Sequence, residues 1–253
     1  MELNINLCWM AATTAFYAPL RGMQQAVQTI LEVDKQITEL KRVMDEDTNF
    51  DNLLSGSIEL AKELGRSITE VNVALTGFAR QGFSESEILA LTESATLAQN
   101  ISELSADEAM DALTAAMTVF NIEARDSISI VDMLNEVDNS FAVTTRDLAV
   151  GMQKSASAAK TFGVSIQELT GDLTGIMQQT RESGSVAGNS LKTIYSRLTT
   201  MQPAIDALGE LGINIHESNG QLKTATQILD EVALAYENVN EETKQNTAVA
   251  LAG

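Results

Sequence analysis

The sequence predicts an all-α fold: a multi-helix bundle or array of short amphipathic helices, with one small β-hairpin near residues 212–223. Three observations predict it. Only two prolines, Pro19 and Pro203, interrupt 253 residues, so helical tracts can run long. Helix-start signals recur along the chain, and apolar residues follow them at spacings of three and four. Aromatic residues make up only 4% of the chain, so the core must come from small and medium aliphatic side chains, as in stacked helices.

The first element is an apolar leader, residues 1–22. Its stretch Leu3 to Leu20 carries no charge and includes Trp9, Met10, Phe16 and Tyr17. A secretory signal needs a basic start, and Glu2 is the only early charge. A membrane span needs about 20 strongly apolar residues, and Asn4, Asn6, Thr13 and Thr14 dilute this stretch. The leader is expected to pack on the helical body. Contact with another chain is the second reading, and membrane contact through residues 1–20 the third.

Residues 23–202 read as a helical core. Met23, Val27, Ile30, Ile37, Leu40 and Met44 form a long stripe that approaches a heptad, with Asp34 in one apolar slot. This reads as the long first helix of a bundle. The alternative is a coiled-coil strand carrying a polar register residue. Further on, Ser67-Ile-Thr-Glu70, Ser84-Glu-Ser-Glu87, Ser105-Ala-Asp-Glu108 and Ser165-Ile-Gln-Glu168 each fit a capping box. In that motif the serine oxygen accepts the N–H three residues on, and the glutamate reaches back to the cap N–H.

The runs behind these caps have helical period. Ile88, Leu91, Ala95, Ala98 and Ile101 follow Ser84; Ala109, Leu113, Ala116, Met117 and Phe120 follow Ser105. Leu169, Leu173 and Ile176 follow Ser165, and Leu191, Ile194, Leu198 and Met201 repeat the spacing. One apolar stripe per helix requires packing against neighbours. A loose echo joins Ser67–Glu87 to Thr144–Glu168: a helix runs to a glycine, then an apolar residue, then a serine that starts the next helix. Gly82 and Gly163 are expected as left-handed residues past the helix ends, with Phe83 and Val164 covering the joints. Two copies are fewer than a solenoid needs.

Residues 203–253 read as a helix, the small hairpin and C-terminal helices. Ile213 and Ile215 share a face, and Asn219-Gly220 suits a tight turn.

Little here supports chemistry. Cys8 is the only cysteine and His216 the only histidine, so neither a disulfide framework nor a Cys/His zinc site can form within the chain. His216 has no nucleophile motif to serve and reads as a surface strand residue. Gly184 and Gly188 with Lys192 superficially suggest a phosphate loop. The P-loop spacing is missing, so they read as a flexible helix entry. No catalytic, cofactor-binding or metal residue is singled out, and no cofactor is called for. A net charge of −19 repels phosphate, which argues against nucleic-acid binding.

Five pieces of sequence in order resemble the core region of phage tail tape-measure proteins. They are "LAKELGRSITEVNVALTGFARQGFSESE", "VDMLNEVDNSFAVTTRDLAVGMQKSASAAKTFGVSIQEL", "GNSLKTIYSRL", "LGINIHESNGQLKTATQILDEV" and the closing "AVALAG". The resemblance covers residues 23 to 253; residues 1–22 have no counterpart in it. It implies a non-enzymatic virion protein that lies in the tail lumen, sets tail length and leaves ahead of the DNA. It also implies assembly in the host cytoplasm. The partners implied are the tail tube protein, tail assembly chaperones and tail-tip or baseplate proteins, with self-association possible in principle. Such proteins usually run longer, so a truncated or partial chain, or a prophage remnant, is expected. The alternative is an α-helical interaction or scaffold module unrelated to tails.

Overall fold

The computed structural model describes residues 24–44, 48–102 and 104–253, and the apolar leader lies outside the described residues. The chain divides into two compact units, one reaching to Thr92 and the other running from Glu93 to Gly253.

The first unit holds α1 (24–43), α2 (Phe50–Glu63), α3 (Ile68–Arg80) and the first half of α4 (Glu85–Ile101). Asn49 starts α2 by accepting the Asn52 N–H on its side chain at 3.1 Å. Ser67 and Glu70 start α3 with a complete capping box. α2 packs on α3, and Leu53, Val71, Leu75 and Phe78 are buried. The second half of α1 joins this core through Ile37 and Leu40, which line a small apolar cavity with Phe50, Leu53 and Leu75. Gln36 donates to the Thr69 carbonyl at 3.1 Å, and Arg80 pairs with Glu39 at 3.1 Å. α3 ends at Gly82, whose φ of +84° favours glycine, and Phe83 turns its edge to the Phe78 ring at 6.1 Å.

The stripe expected along α1 is used in part. Ile37 and Leu40 face the core, whereas Val27, Ile30 and Leu31 stand exposed. Met23 lies outside the described residues.

The second unit holds the rest of α4, α5 (Ala106–Phe120), a 3-10 turn (Ala124–Asp126), α6 (Ile128–Ser140), α7 (Thr145–Thr161), α8 (Ile166–Thr180), α9 (Gly184–Thr200), α10 (Gln202–Glu210), α11 (Ala225–Tyr236) and α12 (Glu241–Ala252). α7 is its centre and packs on α5, α6, α8 and α9; α10 and α12 pack on α9 and on each other. The sequence of α7 looks polar, yet Leu148, Ala149, Gly151, Met152, Ser155, Ala156 and Ala159 are buried. Three buried hydroxyls of α7 and α8 tolerate this because they bond within their own helices. Ser155 donates to the Gly151 carbonyl at 2.7 Å, Thr170 to Ile166 at 2.8 Å and Thr174 to Thr170 at 2.7 Å.

Complete capping boxes start α5 at Ser105 and α8 at Ser165, and Thr224 with Gln227 starts α11 the same way. The Ser165 hydroxyl and N–H hold the Glu168 carboxylate below the ordinary glutamate range. A lowered carboxylate pKa stabilises above the unfolded value and loses that contribution as pH falls through the folded one. Ser165→Ala is therefore expected to cost about 1 kcal/mol at pH 7. The difference should shrink below the ordinary glutamate range, as urea midpoints at the two pH values would show.

The hairpin expected near 212–223 does not form, and among the described residues there is no strand. The segment is a loop with one isolated antiparallel bridge, His216 to Leu222. Glu217 N–H donates to the Gln221 carbonyl at 2.7 Å, and Lys223 N–H to Ile215 at 2.9 Å. Both ends of the loop are already committed, which leaves no length for a ladder. Ile213 N–H closes the end of α10 on the Leu208 carbonyl at 2.9 Å, and Ala225 N–H donates to the Phe162 carbonyl at 2.9 Å. A two-stranded ribbon is marginal in water by itself, so the helix ends win. His216 is thus an exposed loop residue with one bridge partner, not a strand residue.

Candidate functional site

The closest backbone approach among the described glycines lies between α7 and α9. Gly184 and Gly188, four residues apart on α9, face Gly151 on α7. A β-carbon on Gly184 would lie 1.8 Å from the Asp147 carbonyl oxygen, and one on Gly188 would lie 2.4 Å from the Gly151 oxygen. A β-carbon on Gly151 would meet Leu173 of α8 at 2.8 Å and the Gly184 oxygen at 3.0 Å. The three glycines let two helix backbones touch and carry the rest of the unit around them.

This contact replaces the flexible helix entry expected from Gly184 and Gly188. Both are buried helical residues of α9. The N-terminal amide that could meet an anion is already occupied, because Gly184 N–H donates to Asp147 Oδ1 at 2.9 Å. Lys192 sits exposed two turns along. The glycine pair at a spacing of four was the signal for close helix packing, and the phosphate-loop comparison hid it.

Further along α9, Tyr195 is fully buried, and its hydroxyl donates to Asp172 of α8 at 2.5 Å. Burial pushes the Asp172 carboxyl up, against the lowering effect of the Tyr195 bond, and Glu168 and Asp230 push it further up. Burial first, then Asp172, drives the Tyr195 hydroxyl far above its ordinary value. The pair is a neutral donor on a partly desolvated acceptor and acts as a clamp between helices. Asp172 and Tyr195 were not legible as a pair, since 23 residues separate them and neither belongs to a motif.

Three other joints complete the frame around α7. Asp138 of α6 accepts the Thr145 N–H and hydroxyl, both at 2.8 Å, at the start of the helix. Arg146 pairs with Glu108 of α5. At the far end, the Phe162 carbonyl receives Ala225 of α11, so α7 and α11 meet head to tail. Among the described residues, no group of three or more His, Cys, Asp or Glu could hold a metal ion, and no helix is long and apolar enough to cross a membrane.

A family model described as phage-related minor tail protein matches residues 58–253. The "Tape measure protein" of Pneumococcus phage Dp-1 is 22% identical over 244 residues, covering 95% of this chain and 21% of that protein. The "Probable tape measure protein" of Escherichia phage P2 is 32% identical over 107 residues, covering 42% of this chain and 13% of that protein. The chain spans about a fifth or less of the length of these curated relatives. No solved structure matches it. With a family match that runs from α2 through the α7–α9 contact to the last helix, and tape-measure proteins from two phages among its relatives, the chain belongs to the phage-related minor tail protein family.

Proposed function

We propose that this chain is a tape-measure core region of a phage tail, acting in tail assembly and tail-length determination and released ahead of the DNA on infection. The observation that carries the reading is the family match over residues 58–253, supported by relatives named as tape-measure proteins. The region works as folded helical modules rather than as the extended ruler. A continuous helix of 253 residues would span about 380 Å. Here caps and left-handed residues break the chain into helices of 9 to 17 residues from α2 onward.

The tail tube protein, tail assembly chaperones and tail-tip or baseplate proteins are the partners this reading calls for, with self-association of the chain beside them. Its place is the tail lumen in the virion and the host cytoplasm during assembly. The net charge of −19 supports release, since a chain of that charge repels DNA phosphates as a whole. The same charge complements a basic partner surface.

An in-frame deletion of Ser105–Thr144 in the encoding gene tests the reading. It removes α5, the 3-10 turn and α6. Loss of tails by negative-stain electron microscopy is the expected result. Shortening by about 1.5 Å per deleted residue would show an extended ruler, and loss of tails a folded assembly module. Normal tails with normal infection would overturn the tape-measure reading and favour a scaffold module unrelated to tails.

A further inference from the structure

We propose that Asn219 is a site of spontaneous imide formation with the backbone of Gly220, and that its own loop gates the reaction, slow while closed and fast once open. Asn219–Gly220 is the only Asn-Gly step in the chain. The reaction brings the backbone nitrogen of the following residue onto the asparagine carboxamide, and glycine, with no β-carbon, hinders that approach least. The two Asn-Ser steps, Asn139–Ser140 and Asn189–Ser190, lie inside α6 and α9, where the helical ladder fixes the following N–H. Ser218 to Leu222, by contrast, are all exposed and belong to no helix.

In the closed loop the reacting atoms are already engaged. The Gly220 N–H, which must give up its proton to become the nucleophile, donates to the Glu217 carbonyl at 2.9 Å. Asn219 Oδ1 accepts the Gln221 N–H at 2.8 Å, and Nδ2 donates to Gln221 Oε1 at 3.1 Å. The Gln221 N–H polarises the carboxamide, which alone favours attack. The nucleophile decides the outcome, because an amide that keeps its proton does not attack. The loop is also pinned from outside, where Lys223 Nζ reaches both carboxylate oxygens of Glu231 on α11, at 2.6 and 2.8 Å. When the loop opens, Gly220 N passes its proton to solvent and bonds to Asn219 Cγ. The Cγ–Nδ2 bond breaks, and Nδ2 takes a proton from water and leaves as ammonia. Water then opens the ring at either carbonyl, giving aspartate or isoaspartate with no change of oxidation state. Either product adds a negative charge. Isoaspartate also inserts one carbon into the backbone before Gly220, so the bond to Glu217 cannot close in its old register and the opening becomes permanent. The site stands apart from the tail reading, and its test uses the purified chain alone.

Peptide mapping by mass spectrometry, after incubation at mildly alkaline pH, measures the conversion at residue 219. In the native chain it should run at least about tenfold slower than in guanidinium chloride, since only the open fraction of the loop reacts. Lys223→Ala leaves the Asn-Gly chemistry untouched and removes only the pin to Glu231. It should speed the native reaction about fivefold and leave the rate in denaturant unchanged. Far-UV circular dichroism checks that the variant is folded, and the comparison of native with denatured parent chain stands without it. Equal rates in the native and denatured parent would overturn the gate. A faster native rate would also overturn it, and would show that the Gln221 N–H activates the carboxamide. A folded Lys223→Ala chain with the parent's native rate would count against this loop as the gate. No conversion at residue 219 in denaturant would sink the site itself.

Discussion

Gly184→Ala is expected to destabilise the second unit by about 3 kcal/mol or more, the upper range for forcing atoms into a filled contact. The added β-carbon would stand 1.8 Å from the Asp147 carbonyl oxygen and 2.5 Å from its carbon. Both are backbone atoms, so no rotamer change can relieve the overlap. α7 and α9 would have to separate, which also breaks the bond from Gly184 N–H to Asp147 Oδ1. For a domain of this size the melting temperature should fall by about 2–4 °C per kcal/mol. Gly175 on α8 is the matched control. Nothing lies within 4 Å of the point where its β-carbon would stand, so Gly175→Ala gains helix propensity without a clash. It should stabilise by about 0.5–1 kcal/mol. Calorimetry on the two variants reads both signs. A Gly184→Ala protein as stable as its parent would mean that the helices do not touch there.

The Tyr195–Asp172 clamp supports the second large effect. Tyr195→Phe removes the donor and leaves a partly desolvated carboxylate without it, a loss of about 1–3 kcal/mol at neutral pH. Asp172→Asn does the opposite: it keeps an acceptor for Tyr195 and removes a charge that burial, Glu168 and Asp230 all oppose. A carboxyl raised in the folded state favours folding at pH values below its unfolded pKa. That contribution is lost as pH rises through the raised value. Asp172→Asn should therefore gain stability over the parent above that window and lose the advantage below it. Urea midpoints at about pH 3 and pH 8 compare the two regimes on either side of the aspartate range. An equal difference at both pH values would show that the Asp172 charge is not opposed by its surroundings.

Much of the fold was legible because its signals are local. Ser67, Ser105 and Ser165 make the capping boxes read from their spacing, and Ser84 N–H is held by Glu87 at 2.8 Å as the motif requires. Ile88, Leu91, Ala109, Leu113, Leu169 and Leu198 are all buried, as their three-and-four spacing predicts. Gly82 and Gly163 adopt the left-handed conformation for which helix ends select glycine. Thr224-Ala-Thr-Gln227 carries the same capping chemistry with threonine and glutamine in place of serine and glutamate.

What escaped depends on the third dimension. The 212–223 segment has a hairpin's residues, but Leu208 and Phe162 claim the amides at its two ends. Gly184 and Gly188 look like loop glycines until Gly151 is placed opposite them. Met201 and Ile101 fit apolar stripes yet stand exposed at helix ends. The division at Thr92 falls inside α4, and no change of composition marks it.

The hydroxyls of Ser155, Thr170 and Thr174 have a mechanical consequence. Each is paired with a carbonyl one turn back, so its partner travels with it when its helix is drawn away. Under tension these within-helix bonds resist neither the first ångström of separation nor the last. Resistance at those positions falls to close carbon contacts, which act over short distances. A pulling experiment would meet a brittle, short-range barrier there, and the hydroxyls of Ser155 and Thr174 would leave still paired with their own helices.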